Sequence, residues 1–215
     1  MQEKLRTDLE RSWAACAPVG GPLATEVLDE LLTLWSAPAR HYHNVEHLHE
    51  CLAELAAVAG DLSTRGHRSI ALAIWFHDAI YDAARHDNEA ASADLAAARL
   101  GQLGESPDVI ATVGRLILDT AHRAEPATPE GRLMVDIDLS ILGKPADRFD
   151  RYDAAIRAEY AHVPWQDYRT GRLKVLRAFL ARPAIYGATC FKAAYEDAAR
   201  ANLDRAISRL ESARN

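Results

Sequence analysis

Histidine and aspartate are costly to bury without partners, so chemistry is first sought where this sequence sets them among apolar residues. His47 opens an apolar-faced segment and shares one helical face with Cys51 and Leu55, at i, i+4 and i+8. His77 and Asp78 come at the end of the nearly unbroken apolar run IALAIWFHDAIY, where a carboxylate needs a cation, a metal or strong hydrogen bonds. Asp138 lies in the frame VDIDLSIL, two residues after Asp136, and the same reasoning applies to it with less force. Imidazole and carboxylate together suit a divalent transition metal such as Mn, Co, Ni, Fe or Zn, with Mg²⁺ an option where carboxylates and water dominate. Adjacent ligands on one helix converge on an ion near their shared edge, so the remaining donors must come from other helices, His47 upstream and Asp138 downstream.

Each of these residues also has a plain structural explanation. A single histidine among nine is ordinarily a hydrogen-bonded core or surface residue. Asp136 and Asp138 would equally serve as a helix cap or the solvent face of a strand. What singles them out is the order H…HD…D within a helical chain.

The elements that must position these side chains read as helices almost throughout. Apolar residues recur at helical spacing, with Pro and Gly between the runs. The pattern predicts helices over roughly Glu3–Ala15, Ala24–Trp35, Val45–Ala59, Arg68–Tyr81 and Asn88–Leu100, and one from the N-cap Ser106 with Pro107 at N1 to about Ala121. Three more are expected near Asp147–Tyr160, Trp165–Ala181 and Gly187–Ala213. Met134–Leu142 alternates apolar and polar residues as a short strand would, yet in so helical a chain a buried helix or helical turn is preferred.

The 215 residues suit a single domain spanning 1–215, with a core over about 35–145 and a C-terminal helical part over about 146–213 packing on it. An apolar fraction of 49% and a charged fraction of 26% belong to a folded protein, and alanine outweighs the β-branched residues, which favours an all-α fold. A net charge of -6 without any basic run gives no support to nucleic-acid binding. Cys16, Cys51 and Cys190 are far apart and form no C-x-x-C pair, as expected of reduced structural thiols. The N-terminus MQEKLRTDLERSW is charged throughout, unlike a signal peptide, and the apolar run Ile70–Phe76 is too short to span a bilayer, so a cytoplasmic location is expected. Chains rich in alanine and leucine often self-associate, so a homo-oligomer is compatible with this composition.

The order His47…His77-Asp78…Asp138 resembles the signature of the HD superfamily of metal-dependent phosphohydrolases. The finer pattern is similar to one bacterial branch, described as predicted metal-dependent HD-superfamily phosphohydrolases. It is carried by RHYHNVEHL (Arg40–Leu48), FHDAIYD (Phe76–Asp82), DNEAASA (Asp87–Ala93), DIDLSILG (Asp136–Gly143), IRAEY (Ile156–Tyr160), YRTGRLKVL (Tyr168–Leu176) and ARANL (Ala199–Leu203), which together span about residues 35–205. The resemblance implies a helical bundle with a central metal site, and it assigns the metal to His47, His77, Asp78 and Asp138. Asp138 is preferred to Asp136 because the last aspartate of related proteins usually precedes a leucine-containing turn, as Asp138 precedes Leu139. Many two-metal members carry an extra histidine about a dozen residues after the HD pair. Glu89 stands there in this chain, a departure that counts against a dinuclear site although Glu89 could itself bind a metal or orient water, and His122 is the other candidate for a second metal or for substrate contact.

The chemistry expected is metal-assisted hydrolysis of a phosphate ester or anhydride of a small phosphorylated molecule, a nucleotide being one candidate. Asp78 would hold metal and water, and Glu89 would act as general base. Arg40, His43, Arg157, Arg172 and Lys174 are the candidates for stabilising developing negative charge, although the last three also read as a solvated face or exposed ion pairs. Two other readings fit the same residues. A di-iron oxygenase would need a second ligand set, which bound iron and oxygen consumption would reveal. A nucleotide-sensing module without catalysis would show tight ligand binding and no turnover.

Overall fold

The computed structural model describes residues 3–58 and 63–213. Among the described residues there are ten α-helices, one 3-10 helix and no β-strand, in line with a composition poor in β-branched residues. Also among them, no helix is long and apolar enough to cross a membrane. The chain divides into two compact units, Met1–Ile137 and Asp138–Asn215, where the sequence suggests a junction near residue 145.

The first unit holds α1 (Glu3–Cys16), α2 (Pro22–Trp35), α3 (Val45–Ala57), α4 (Thr64–Phe76), α5 (Asn88–Gln102), α6 (Pro107–Asp119) and all but the last residue of α7 (Pro129–Asp138). Its centre is α4, which packs against α1, α3, α5 and α6. This helix is apolar on every side from Ile70 to Phe76, and all seven of those residues are buried. Tryptophans around it bury large rings while their N–H groups find carbonyls: Trp13 Nε1 donates to Ala24 O and Trp35 Nε1 to Trp75 O, each at 3.0 Å. Cys16 is buried at the end of α1, and burial pushes its thiol up to about 12, as expected of a structural cysteine. None of the three cysteines forms a disulfide.

Two helix starts follow the sequence signals closely. Ser106 caps α6 by accepting from Val109 N, ahead of Pro107 at N1, and Asn44 caps α3 by accepting from Glu46 N at 2.9 Å. Two ends do not. The fourth helix, expected over Arg68–Tyr81, begins at Thr64 on the Ser63 cap and stops at Phe76, so His77 and Asp78 lie in the turn beyond it. Ala59, the expected last residue of the third helix, lies outside the described residues. The ambiguous stretch Met134–Leu142 is helical, the second half of α7 followed by the 3-10 helix Leu139–Gly143. Both its apolar and polar residues are buried, with Asp138 the partly exposed exception, so the alternation in sequence does not mark two faces of a strand.

The second unit contains that 3-10 helix, α8 (Ala146–Glu159), α9 (Trp165–Leu180) and the long α10 (Thr189–Ser212), which packs on the other three. Asn202 of α10 donates to Leu142 O at 2.8 Å and Lys144 O at 2.9 Å, which satisfies the end of the 3-10 helix. The backbone of Tyr195 lies so close to Gly143 that a Cβ there would meet it, which explains the glycine.

Candidate metal centre

Three donors converge in the first unit. His47 stands in the first turn of α3, set there by the Asn44 cap, and its buried face continues through Cys51 and Leu55 as the i, i+4, i+8 spacing predicts. His77 caps the C-terminus of α4, and Asp78 follows it in the turn. His47 Nε2 and His77 Nε2 are 3.3 Å apart, the Asp78 carboxylate oxygen is 3.3 Å from His77 Nε2, and it is 3.9 Å from His47 Nε2. Both imidazoles are buried, and the Asp78 side chain is only 13% exposed.

Local packing orients these groups. His77 Nδ1 lies 2.9 Å from Ile74 O. A carbonyl only accepts, so this nitrogen carries a proton, and Nε2 is the ring nitrogen turned toward His47 and Asp78, a lone-pair donor whenever the ring is neutral. The Trp35 ring packs against both imidazoles, with centroids 5.4 Å from His77 and 6.2 Å from His47. Tyr42 also packs against His47, with centroids 4.7 Å apart, and the Cys51 sulfur lies 3.7 Å from its Nδ1.

The donor set fits a divalent ion. Ligand atoms about 2.1 Å from a common ion are about 3.0 Å apart at a right angle and about 3.4 Å apart at the tetrahedral angle. Two of the three separations fall in that interval and the third is half an ångström wider. Two imidazoles and one carboxylate also match the donor preference of Zn, Mn, Fe, Co and Ni.

Other candidate residues take varied places. Arg40 is buried and directs its guanidinium at main-chain oxygens, with Nη1 2.6 Å from Asp78 O and 3.1 Å from His43 O, and Nη2 2.8 Å from Ala79 O. His43 stacks on Tyr81 with centroids 4.0 Å apart and stands 5.9 Å from the His47 ring. Glu89 is half-buried in the first turn of α5 and belongs to no metal-type cluster among the described residues. His122 follows the end of α6 with a left-handed φ of 54°, a conformation that histidine tolerates better than most residues. Asp138 is the last residue of α7 and partly exposed, whereas Asp136 is buried. Two positions apart on a helix, they point to nearly opposite sides.

In the second unit, Arg172 is buried and donates from Nη2 to Asp153 at 3.0 Å, with its guanidinium over the Tyr152 ring. Burial opposes its charge, and Tyr152 and Asp153 more than offset that, raising the guanidinium above its ordinary value. Neighbouring Tyr168 is pushed up to about 12, chiefly by burial. Arg157 donates to Tyr160 O and Val163 O at the end of α8 and stacks over Tyr168, and Lys174 is exposed on α9.

Two residues that composition and spacing do not single out hold the turn after Asp78. Ser92 Oγ accepts from Ile80 N and donates to Ile80 O, both at 3.1 Å, and Asn88 pairs with Asp82 N and O at 3.1 and 2.9 Å. Both lie in DNEAASA, and a further signal is their register. Asn88 and Ser92 begin the buried stripe that continues through Ala96 and Leu100, and polar side chains in such a stripe require partners. No protein-family model, curated protein or solved structure matches this chain.

Proposed function

We propose that this protein is a metal-dependent phosphohydrolase of the HD type, acting on a phosphate ester or anhydride of a small molecule such as a nucleotide. Support comes first from the convergence of His47, His77 and Asp78 in a largely buried cluster of side chains with metal-type spacing. The choice of phosphoryl chemistry rests on the sequence resemblance, in which Asp138 is the fourth ligand. A divalent ion bound by this set supplies Lewis acidity toward a phosphoryl oxygen and makes a coordinated water more acidic.

The chain's own residues have separable tasks. Ile74 O holds the His77 proton on Nδ1, which keeps Nε2 available as a donor. Trp35 and Tyr42 pack against His47 and exclude water from that side of the pair, which strengthens every charge interaction there. Half-buried His43, braced by Tyr81 and 5.9 Å from the His47 ring, is assigned to hydrogen-bond a phosphoryl oxygen. Glu89 is the carboxylate assigned to take up the proton lost by the attacking water.

The test is phosphate release from a panel of nucleotides and phosphate esters. Metal-stripped protein is supplied in turn with Mn²⁺, Co²⁺, Ni²⁺, Zn²⁺ and Mg²⁺, with Asp78→Ala alongside. Turnover should depend on metal, and the variant should lose more than the about 100-fold that removal of an outer-shell partner costs, while its circular dichroism stays helical. Full activity with retained metal in Asp78→Ala would exclude the site.

A further inference from the structure

We propose that Arg40 is the positioning residue of the metal-ligand turn, holding His77-Asp78 in place through main-chain oxygens. This inference rests on the metal-site proposal above and adds to it the device that fixes the ligands. The need arises from the abrupt end of α4 at Phe76. Beyond it the chain leaves the helix while Ala79 remains fully buried, so carbonyls that a continuing helix would satisfy require other donors.

Side chains from outside the turn supply them in sequence. Arg40 takes Asp78 O and Ala79 O, Ser92 takes both main-chain groups of Ile80, and Asn88 takes both of Asp82. Arg40 also reaches His43 O, so one guanidinium ties the segment leading into α3, which carries His47, to the turn that carries the other two donors. Its cation lies 5.5 Å from the centroid of Trp35 and 5.6 Å from that of Tyr81, which fixes the plane of the fork. The chemistry explains why arginine stands here. The group stays charged at any working pH, presents five N–H donors in a rigid plane, and has no acceptor to repel a carbonyl. A lysine ammonium is a single point and cannot span oxygens from both segments with the same geometry.

Arg40 is therefore distinct from a phosphate-binding arginine. A phosphate ligand would affect substrate affinity and leave the metal alone. A positioning residue affects the metal and the backbone before any substrate is present.

The experiment uses full-length protein and the variants Arg40→Met, Arg40→Lys and Ser92→Ala, with two readouts. Hydrogen–deuterium exchange of metal-free protein should show amides of residues 78–82 exchanging at least about tenfold faster in Arg40→Met, because hydrogen bonds to a charged donor are lost, while protection in α6 is unchanged. Co²⁺ titration followed by visible absorption should show affinity falling about 10- to 100-fold with altered bands, and Arg40→Lys should recover part of it. Ser92→Ala, a milder change, should shift both readouts in the same direction, and it carries the test with Arg40→Lys if Arg40→Met does not fold. Wild-type exchange in residues 78–82, or wild-type Co²⁺ affinity and spectrum paired with a raised KM alone, would overturn the assignment. Wild-type protein that takes up no Co²⁺ would overturn the metal site, whereas the exchange rates of metal-free protein decide the hold on the turn by themselves.

Discussion

A charged side chain in a folded protein has a task only where its donors point, and the arginines here divide on that basis. Arg40 and Arg157 spend donors on main-chain oxygens, whereas Arg172 is committed to Asp153 beneath the surface of its unit. Arg172 is buried while half-buried Asp153 keeps Arg209 at 3.5 Å, so Arg172→Ala, which loses charged hydrogen bonds, should lower stability by about 2 kcal/mol in thermal unfolding followed by circular dichroism. Unchanged stability with a raised KM would instead make Arg172 a substrate ligand. In the sequence, these arginines and Lys174 are candidates to meet an anion, with Arg157, Arg172 and Lys174 reading equally as a solvated face or exposed ion pairs, because residue type reveals charge and not direction. His47, His77 and Asp78 were legible for the opposite reason. Their apolar neighbours make burial certain, and buried imidazole and carboxylate must find one another, a cation or a hydrogen bond.

Helix starts are written locally and helix ends often are not. Asn44 and Ser106 cap their helices through their own side chains within three residues, and both starts can be read from the sequence. The turn at the end of α4 depends on Arg40, Ser92 and Asn88, which lie up to 39 residues from the groups they bind, so apolar periodicity carries the expected helix on to Tyr81. Likewise, the alternation in VDIDLSIL is legible as a pattern, but tertiary burial on all sides decides that it is helix. The two caps offer a matched comparison. Asn44→Ala and Ser106→Ala should each cost about 1 kcal/mol of stability by chemical denaturation. Only Asn44→Ala should also weaken Co²⁺ binding, because only α3 carries a donor of the cluster in its first turn. Equal Co²⁺ affinities in the two variants would mean that the start of α3 does not set the position of His47.

At the scale of the whole chain, composition was enough for an all-helical fold, since an alanine-rich sequence poor in β-branched residues has little to build a sheet from. The division at Ile137–Asp138 was not legible, because it falls at a helix end with no proline, glycine or polar linker to mark it. That division shapes what metal binding should do to stability. His47, His77 and Asp78 all belong to Met1–Ile137, and the unfolded chain does not hold them together. An ion that binds the folded unit alone stabilises it by mass action, about 2.7 kcal/mol when free metal is a hundredfold above its dissociation constant. For a unit of this size the melting temperature should rise by roughly 5 to 10 °C, and chelator should reverse it. The measurement is differential scanning calorimetry of stripped protein with and without Mn²⁺ or Co²⁺, beside Asp78→Ala. The variant should show no rise, because the carboxylate that completes the three-donor set is gone. An equal rise in wild type and variant would place the ion elsewhere, on histidines and carboxylates outside this cluster, and the proposed centre would then have no thermodynamic support.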